Sequence, residues 1–433
     1  MPLCSIEEIK ALEILDSRGN PTLRVCIKAC NRIACSSVPS GASTGKHEAF
    51  ELRDGEKRLR GRGVKKAVEN INEIITQALV GEEITNLRRI DETLKSIDGT
   101  PNKSKLGANA ILGVSMAVAR LLSELYGIPL YAALGGIMRR RLPTPLLNVI
   151  NGGKHAGNSM SFQEFLLIPH GFSKFSEAIW ASVEVYYTLK DIIKQKYGAI
   201  FTSVGDEGGF APPVTDPNEA LKLLHDAVTS SGYRVEDDFS FGIDAASSNF
   251  YNEKKGKYIV NNKELSIDEL FELYHTFIES SSVRVIEDPF YEEDFGSFAL
   301  ITQEAKKLGA IIVGDDLLTT NINRLKKAIE ERSVSAVLIK PNQIGTVSET
   351  VDFSSLAIYN GLKRIVSHRS GETEDTFIAD LAVALGSEGI KTGAPARSER
   401  TSKYNRLLEI ESELGSEATY AGRDLFRSGS STP

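Results

Sequence analysis

The chain has 433 residues, with 51 basic and 58 acidic side chains and a net charge of −7, a balance that excludes a strongly basic nucleic-acid binder. Its 41% hydrophobic and 25% charged residues are ordinary for a globular protein, and the length predicts two to three domains, or fewer where an α/β barrel forms one unit. No apolar run approaches the ~18 to 20 residues of a membrane span, and MPLCSIEEIKALEIL carries acids where a signal peptide carries bases, so a cytoplasmic protein with no membrane span is expected.

Cys4, Cys26, Cys30 and Cys35 lie near the N-terminus without paired C-x-x-C units or histidines at zinc spacing, and reduced, partly buried thiols are expected. Leu23, Val25 and Ile27 alternate as in a strand, and a second short strand is predicted around Ile33. Val68, Ile71, Ile75 and Leu79 have helical spacing, and a second helix, Ala108 to Tyr126, stops before Gly127 and Pro129. Residues 1–138 therefore read as an α+β domain.

After the basic connector GIMRRRLP at 136–143, short apolar strands alternate with amphipathic helices, which predicts βα units and a largely parallel sheet over 139–425. Asp216-Pro217 and the capping box Ser266-Ile267-Asp268-Glu269 mark helix starts, with Gly232 as a stop. Residues 426–433, rich in Ser and Gly at their end, read as a flexible tail.

Six predicted strands run from apolar residues into an ionisable one: Asp244, Glu287, Asp315, Lys340, His368 and Lys391, spaced by 43, 28, 25, 28 and 23 residues. That is close to the roughly 30 residues per βα unit of an eight-unit barrel, which collects its C-terminal strand ends on one face. Three carboxylates in one cavity need compensating charge. Asp244, Glu287 and Asp315 are hard oxygen donors without thiolates or paired histidines, which favours Mg²⁺ over zinc. Asp316 is a fourth oxygen donor whose neighbouring position is expected to aim it elsewhere. Lys340 and Lys391 beside a divalent cation are expected to have their charged forms disfavoured, so that one serves as a base near neutral pH. Metal and lysine together then suit proton abstraction next to a carboxylate.

Two glycine-rich loops, Ser203 to Phe210 with Asp206 and Glu207, and Asn151 to Gly157 with His155, allow either close backbone approach to a ligand or a tight surface turn. Arg369 and Ser370 suit a phosphate, and an arginine paired with a carboxylate is the alternative reading. The segment SGASTGKH at 40–47 fails the nucleotide P-loop spacing, which leaves a mobile loop that covers a site.

The motifs DSRGNPT, SGASTG, LGANAILGVSMA, NGGKHAGN, SVGDEGGFAP, IEDP, GDD, LIKPNQIGT, SHRSGET and IKTGAPARSER span nearly the whole chain, and in this order they closely resemble the enolase family. The resemblance implies an N-terminal α+β domain followed by an eight-stranded TIM-like α/β barrel whose first strands depart from parallel order. It implies a glycolytic and gluconeogenic lyase that dehydrates 2-phosphoglycerate reversibly to phosphoenolpyruvate with two Mg²⁺ ions, one structural and one catalytic, in a homodimer or higher homo-oligomer. By the same resemblance Lys340 is the base, Glu207 the acid and Glu164 its support. Asp244, Glu287 and Asp315 hold the first metal, and Ser43 helps bind the second. Lys391 holds the substrate carboxylate, Arg369 and Ser370 the phosphate, while His155 closes over the substrate and His368 helps place it. A sibling acid-sugar dehydratase or racemase, and a binding protein without turnover, are the competing readings. The phosphate-suited loops argue against the first and the intact base, acid and metal set against the second.

Overall fold

A computed structural model describes residues 4–41, 44–55, 57–153 and 160–427. Three strands, β1 (Ile6–Leu15), β2 (Pro21–Ala29) and β3 (Arg32–Ser37), form an antiparallel sheet in that order. β2 and β3 fall where the alternation of apolar residues predicts strands. β1 has no counterpart in the sequence reading, because it is an edge strand that buries fully only Ile6 and Ile9 and so lacks a regular period.

The sheet overturns the reduced-thiol expectation. Cys26 and Cys35 are direct partners across β2 and β3, and Cys4 joins Cys30, so no cysteine is free. Their Cα atoms lie 4.1 and 5.8 Å apart, respectively. Strand register created the Cys26–Cys35 pair and the path of the chain before β1 the other, and both are invisible to cysteine spacing along the chain. Each bridge is expected to contribute about 3 kcal/mol by restricting the unfolded chain. Thiol titration of the unreduced, denatured protein should find no reactive thiol and, after reduction, four.

Helical turns continue from 65 to 79 and bury Ile71, Ile75 and Leu79. The helix Ala108–Tyr126 has the predicted bounds, ends at the left-handed Gly127, and packs on β2 and β3. It is long and apolar enough to cross a membrane by length and composition, which corrects the reading that no run approaches such a length. Every residue from Ala108 to Ala119 is buried inside the protein, and a helix enclosed on all sides is apolar all round for that reason.

The rest of the chain builds a closed eight-stranded barrel from β4 (Thr144–Asn151), β5 (Glu164–Ile168), β6 (Ser240–Asp244), β7 (Val283–Glu287), β8 (Ile311–Gly314), β9 (Ala336–Ile339), β10 (Lys363–Ser367) and β11 (Gly389–Lys391). From β6 to β11 neighbouring strands are parallel, and β11 closes in parallel onto β4. β5 is antiparallel to both of its neighbours, the departure that the family resemblance implied. Helices starting at the predicted caps Asp216 and Ser266 surround the barrel. The first of them stops at Ser231, one residue before the left-handed Gly232.

Alternation along each strand decides what enters the barrel. Leu146, Leu166, Ile168, Val285, Ile311, Val313, Ala336, Leu338 and Ile365 form the interior cluster, closed at the far end by Leu425. Their neighbours Leu147, Ile286, Ile312, Val337 and Val366 pack outward in the larger core shared with the helices. At the closed end His170 Nε2 lies 2.8 Å from Ser240 Oγ, and its ring stands edge-on to Phe426. Burial pushes this imidazole down to about 4. The stability gained from its neutral form is present above the unfolded value of about 6.5 and is lost as pH falls from there towards about 4. Titration of the histidine resonances should find His170 neutral at pH 5.

Candidate active site

The inward positions of the strands continue past the apolar layer by steps of two and arrive at charge. Val285 leads to Glu287, Val313 to Asp315, Leu338 to Lys340, Gly389 to Lys391 and Gly242 to Asp244. β5 runs the other way, so it brings its first residue to the same rim: Glu164 is the register partner of Asp244 and of Asn151.

Glu207 reaches the rim differently. The helix Phe175–Tyr197 rises about 34 Å at 1.5 Å per residue, and after the loop the helix Pro217–Ser230 returns beside it. The loop docks on β4 through hydrogen bonds from Phe210 N to Val149 O and from Asn151 N to Phe210 O. A Cβ on Gly209 would stand 2.7 Å from Asn151 Oδ1 and 3.0 Å from Asn148 O, so only glycine permits this approach. The approach that this glycine permits is to β4 itself.

One cavity is lined by Glu164, Glu207, Asp244, Asp315, Lys340, His368, Arg369, Ser370 and Lys391. Glu287 joins them through Lys391, whose Nζ lies 2.8 Å from Glu287 Oε2, 2.9 Å from Asp244 Oδ2 and 3.1 Å from Glu164 Oε2. Lys340 Nζ donates to Asp315 Oδ2, and Gln343 Nε2 donates to Asp315 Oδ1 at 2.9 Å. Asn148 Nδ2 donates to Glu207 Oε2 at 2.9 Å. Ser43 and His155 lie outside the described residues.

Asp316 differs from expectation, since it lines the cavity as well. β8 ends at Gly314, and the chain turns at once, with Leu318 N and Thr319 N both donating to Asp315 O. Alternation therefore stops before Asp316. Asp288, Asp315 and Asp316 bring carboxylate oxygens within 4.8 Å of one another, and Asp288 accepts from the backbone N–H groups of Asp315 and Asp316 at 2.9 and 2.6 Å. Asp288, in the IEDP motif, was not singled out from the sequence, although its place right after a strand-end acid offered a signal.

Arg369 does sit beside a carboxylate. Its guanidinium grips Glu48 with two bonds of 2.9 and 3.0 Å, and Nη1 also donates to Asn342 at 2.9 Å. Glu48 belongs to the segment that follows the SGASTG loop. Gly45 lies so close to the turn after β8 that a Cβ there would be 2.7 Å from Thr319 Cγ2. Lys46 Nζ donates to Glu253 and Tyr291 at 2.9 and 2.8 Å, so the small ribbon over 251–265 also reaches this loop.

Burial pushes Glu164 well up, with Glu207 adding to the effect, and pushes Glu287 up to about 8 with help from Asp244. Burial also acts to raise Asp315, but Lys340 outweighs it and holds that carboxyl below the usual range. Burial depresses the lysines, yet Asp315 holds Lys340 above its ordinary value and Asp244 with Glu164 holds Lys391 well above. Without a cation, the protein's own carboxylates favour the charged lysines, because each ammonium contacts a carboxylate directly. The donor set suits a hard divalent cation: it offers carboxylate oxygen without thiolates, and Glu287 Oε1 is buried with no hydrogen-bond partner among the described residues.

Replacing Lys391 with Met leaves Glu164, Asp244 and Glu287 buried without their shared counter-charge. The expected loss is about 3–5 kcal/mol of stability, measured by urea unfolding without added metal, with partial recovery when Glu287→Gln is added.

Comparison with known proteins bears on this geometry. Residues 6–134 match the family model described as enolase, N-terminal domain, and residues 139–428 match enolase, C-terminal TIM barrel domain. A protein named enolase from Methanocaldococcus jannaschii is 54% identical over 97% of this chain and 98% of its own length. Enolases from Methanopyrus kandleri and Thermococcus gammatolerans are 51% and 52% identical, over 97% and 96% of this chain and 99% and 97% of their own lengths. Two family models matched in order, and about half of all residues shared over almost the full length, establish that the chain belongs to the enolase family.

Proposed function

We propose that this chain is the lyase that reversibly dehydrates 2-phospho-D-glycerate to phosphoenolpyruvate in glycolysis and gluconeogenesis, with Mg²⁺ as its metal. The observation that carries this reading is the sharing of one cavity by Lys340, Glu207, Lys391, Arg369 and the strand-end carboxylates Asp244 and Asp315, with Glu287 bound to Lys391. Lys340 takes the proton from C2, and Glu207, supported by Glu164, protonates the departing C3 hydroxyl. Lys391 holds the substrate carboxylate and the negative charge that develops on it. Arg369 and Ser370 bind the phosphate, His368 helps place the substrate, and His155 closes over it.

Asp244, Glu287 and Asp315 would hold one ion, and Ser43 with substrate oxygens would hold a second. Bound there, the ions supply the positive charge that an enediolate requires. Lys340 must be neutral to act as a base. Burial and Arg369 favour its neutral amine, and Asp315, with Glu287, is what keeps the proton on. Glu48 and Asn342 hold Arg369 from one side and fix the direction of its fork. Assembly into a homodimer or higher homo-oligomer is proposed on the family resemblance alone.

The test is ultraviolet detection of phosphoenolpyruvate formed from 2-phosphoglycerate. Turnover should require Mg²⁺, vanish with chelator and be lost in a folded Lys340→Ala variant. A folded, Mg²⁺-loaded native chain without turnover refutes the reading.

A further inference from the structure

Arg400 is the largest fully buried side chain among the described residues, and no sequence motif gave it a role. It stands in the first turn of the helix Ser398–Leu414, and all four Nη hydrogens have acceptors. Nη1 contacts His368 Nδ1 at 2.7 Å and Arg369 O at 2.6 Å, while Nη2 contacts Ser370 O at 2.7 Å and Asp206 O at 3.1 Å. One guanidinium therefore ties the segment after β10 to the loop that carries Glu207.

The contact with His368 has chemical direction. A guanidinium has donors only and keeps its charge in a protein, so the bond at 2.7 Å requires a lone pair on Nδ1. A neutral imidazole with a bare Nδ1 carries its hydrogen on Nε2. That nitrogen is buried, on a residue that lines the cavity. It stands 3.4 Å from Glu207 Oε2. With the opposite tautomer, two hydrogens would meet at Nδ1 and two lone pairs would face each other between Nε2 and Glu207.

We propose that Arg400 is a positioning residue: it fixes His368 as the Nε2–H tautomer, so that the imidazole presents a proton donor, and not a base, to a substrate oxygen bound beside Glu207. Burial, with Arg400 adding to it, also drives His368 down to about 3, so the ring stays neutral across the working range. The kinetic consequence rests on the dehydratase reading above, while the tautomer does not.

The first measurement uses the native chain labelled with ¹⁵N-histidine, with His368 assigned through His368→Gln. From pH 6 to 8, Nδ1 should resonate as an unprotonated nitrogen and Nε2 as a protonated one. A protonated Nδ1, as tautomer or imidazolium, overturns the proposal, whatever the assay with 2-phosphoglycerate gives. The second uses Arg400→Lys, whose shorter cation cannot reach all four acceptors. In a variant with native circular dichroism, the His368 nitrogens should exchange between tautomers. Its kcat should fall at least about tenfold with KM changed less, and its kcat profile should gain a titration in the ordinary histidine range. A folded Arg400→Lys with the native tautomer and a native profile overturns the proposal. If the native chain makes no phosphoenolpyruvate but shows the Nε2–H tautomer, the dehydratase reading fails and the role of Arg400 stands.

Discussion

Lys391 carries one positive charge into contact with three buried carboxylates, Glu164, Asp244 and Glu287, and the mouth of the barrel is organised around that imbalance. In a low-dielectric interior such a cluster persists only if charges are matched or protons are retained. Both devices are present here. Lys391 and Lys340 compensate the acids they touch, while Glu164 and Glu287 are pushed upward towards neutrality. An excess of acid over base, held rigidly by strand ends, is a surface built to accept further positive charge.

Rigidity comes from the same alternation that builds the core. The apolar layer of the barrel and the charged layer above it are successive inward positions of the same strands, so neither can slip without the other. This is why the strand-end acids and lysines were legible in the sequence: an apolar run of fixed parity followed by one ionisable residue is a local signal. The helix caps at Asp216 and Ser266 and the bounds of Ala108–Tyr126 were legible for a similar reason, since each is written within a few neighbouring residues.

What sequence patterns missed depends on contacts between distant segments. The disulfides follow from the register of β2 against β3 and from the path of the chain before β1. Asp316 enters the cavity because β8 ends one residue earlier than alternation assumed. Glu48 meets Arg369 across 321 positions of sequence, and Arg400 meets His368 across 32, with the helix Phe377–Leu385 and β11 between them. The reversed strand β5 came only through family resemblance, because a short apolar strand reads alike in either direction.

That reversal sets the cost of changing length. In a regular βα unit, residues added after a strand are taken up by a crossover that rejoins the sheet at the far end, away from the chemistry. The connection from β4 to β5 instead leaves the rim at Asn151 and returns to it at Glu164, its register partner. An insertion or deletion there has no distant end to absorb it, and shortening would draw Glu164 against the strand that carries Asn148 and its bond to Glu207. Variation in loop length is therefore predicted to be confined at this hairpin by its closure on both sides.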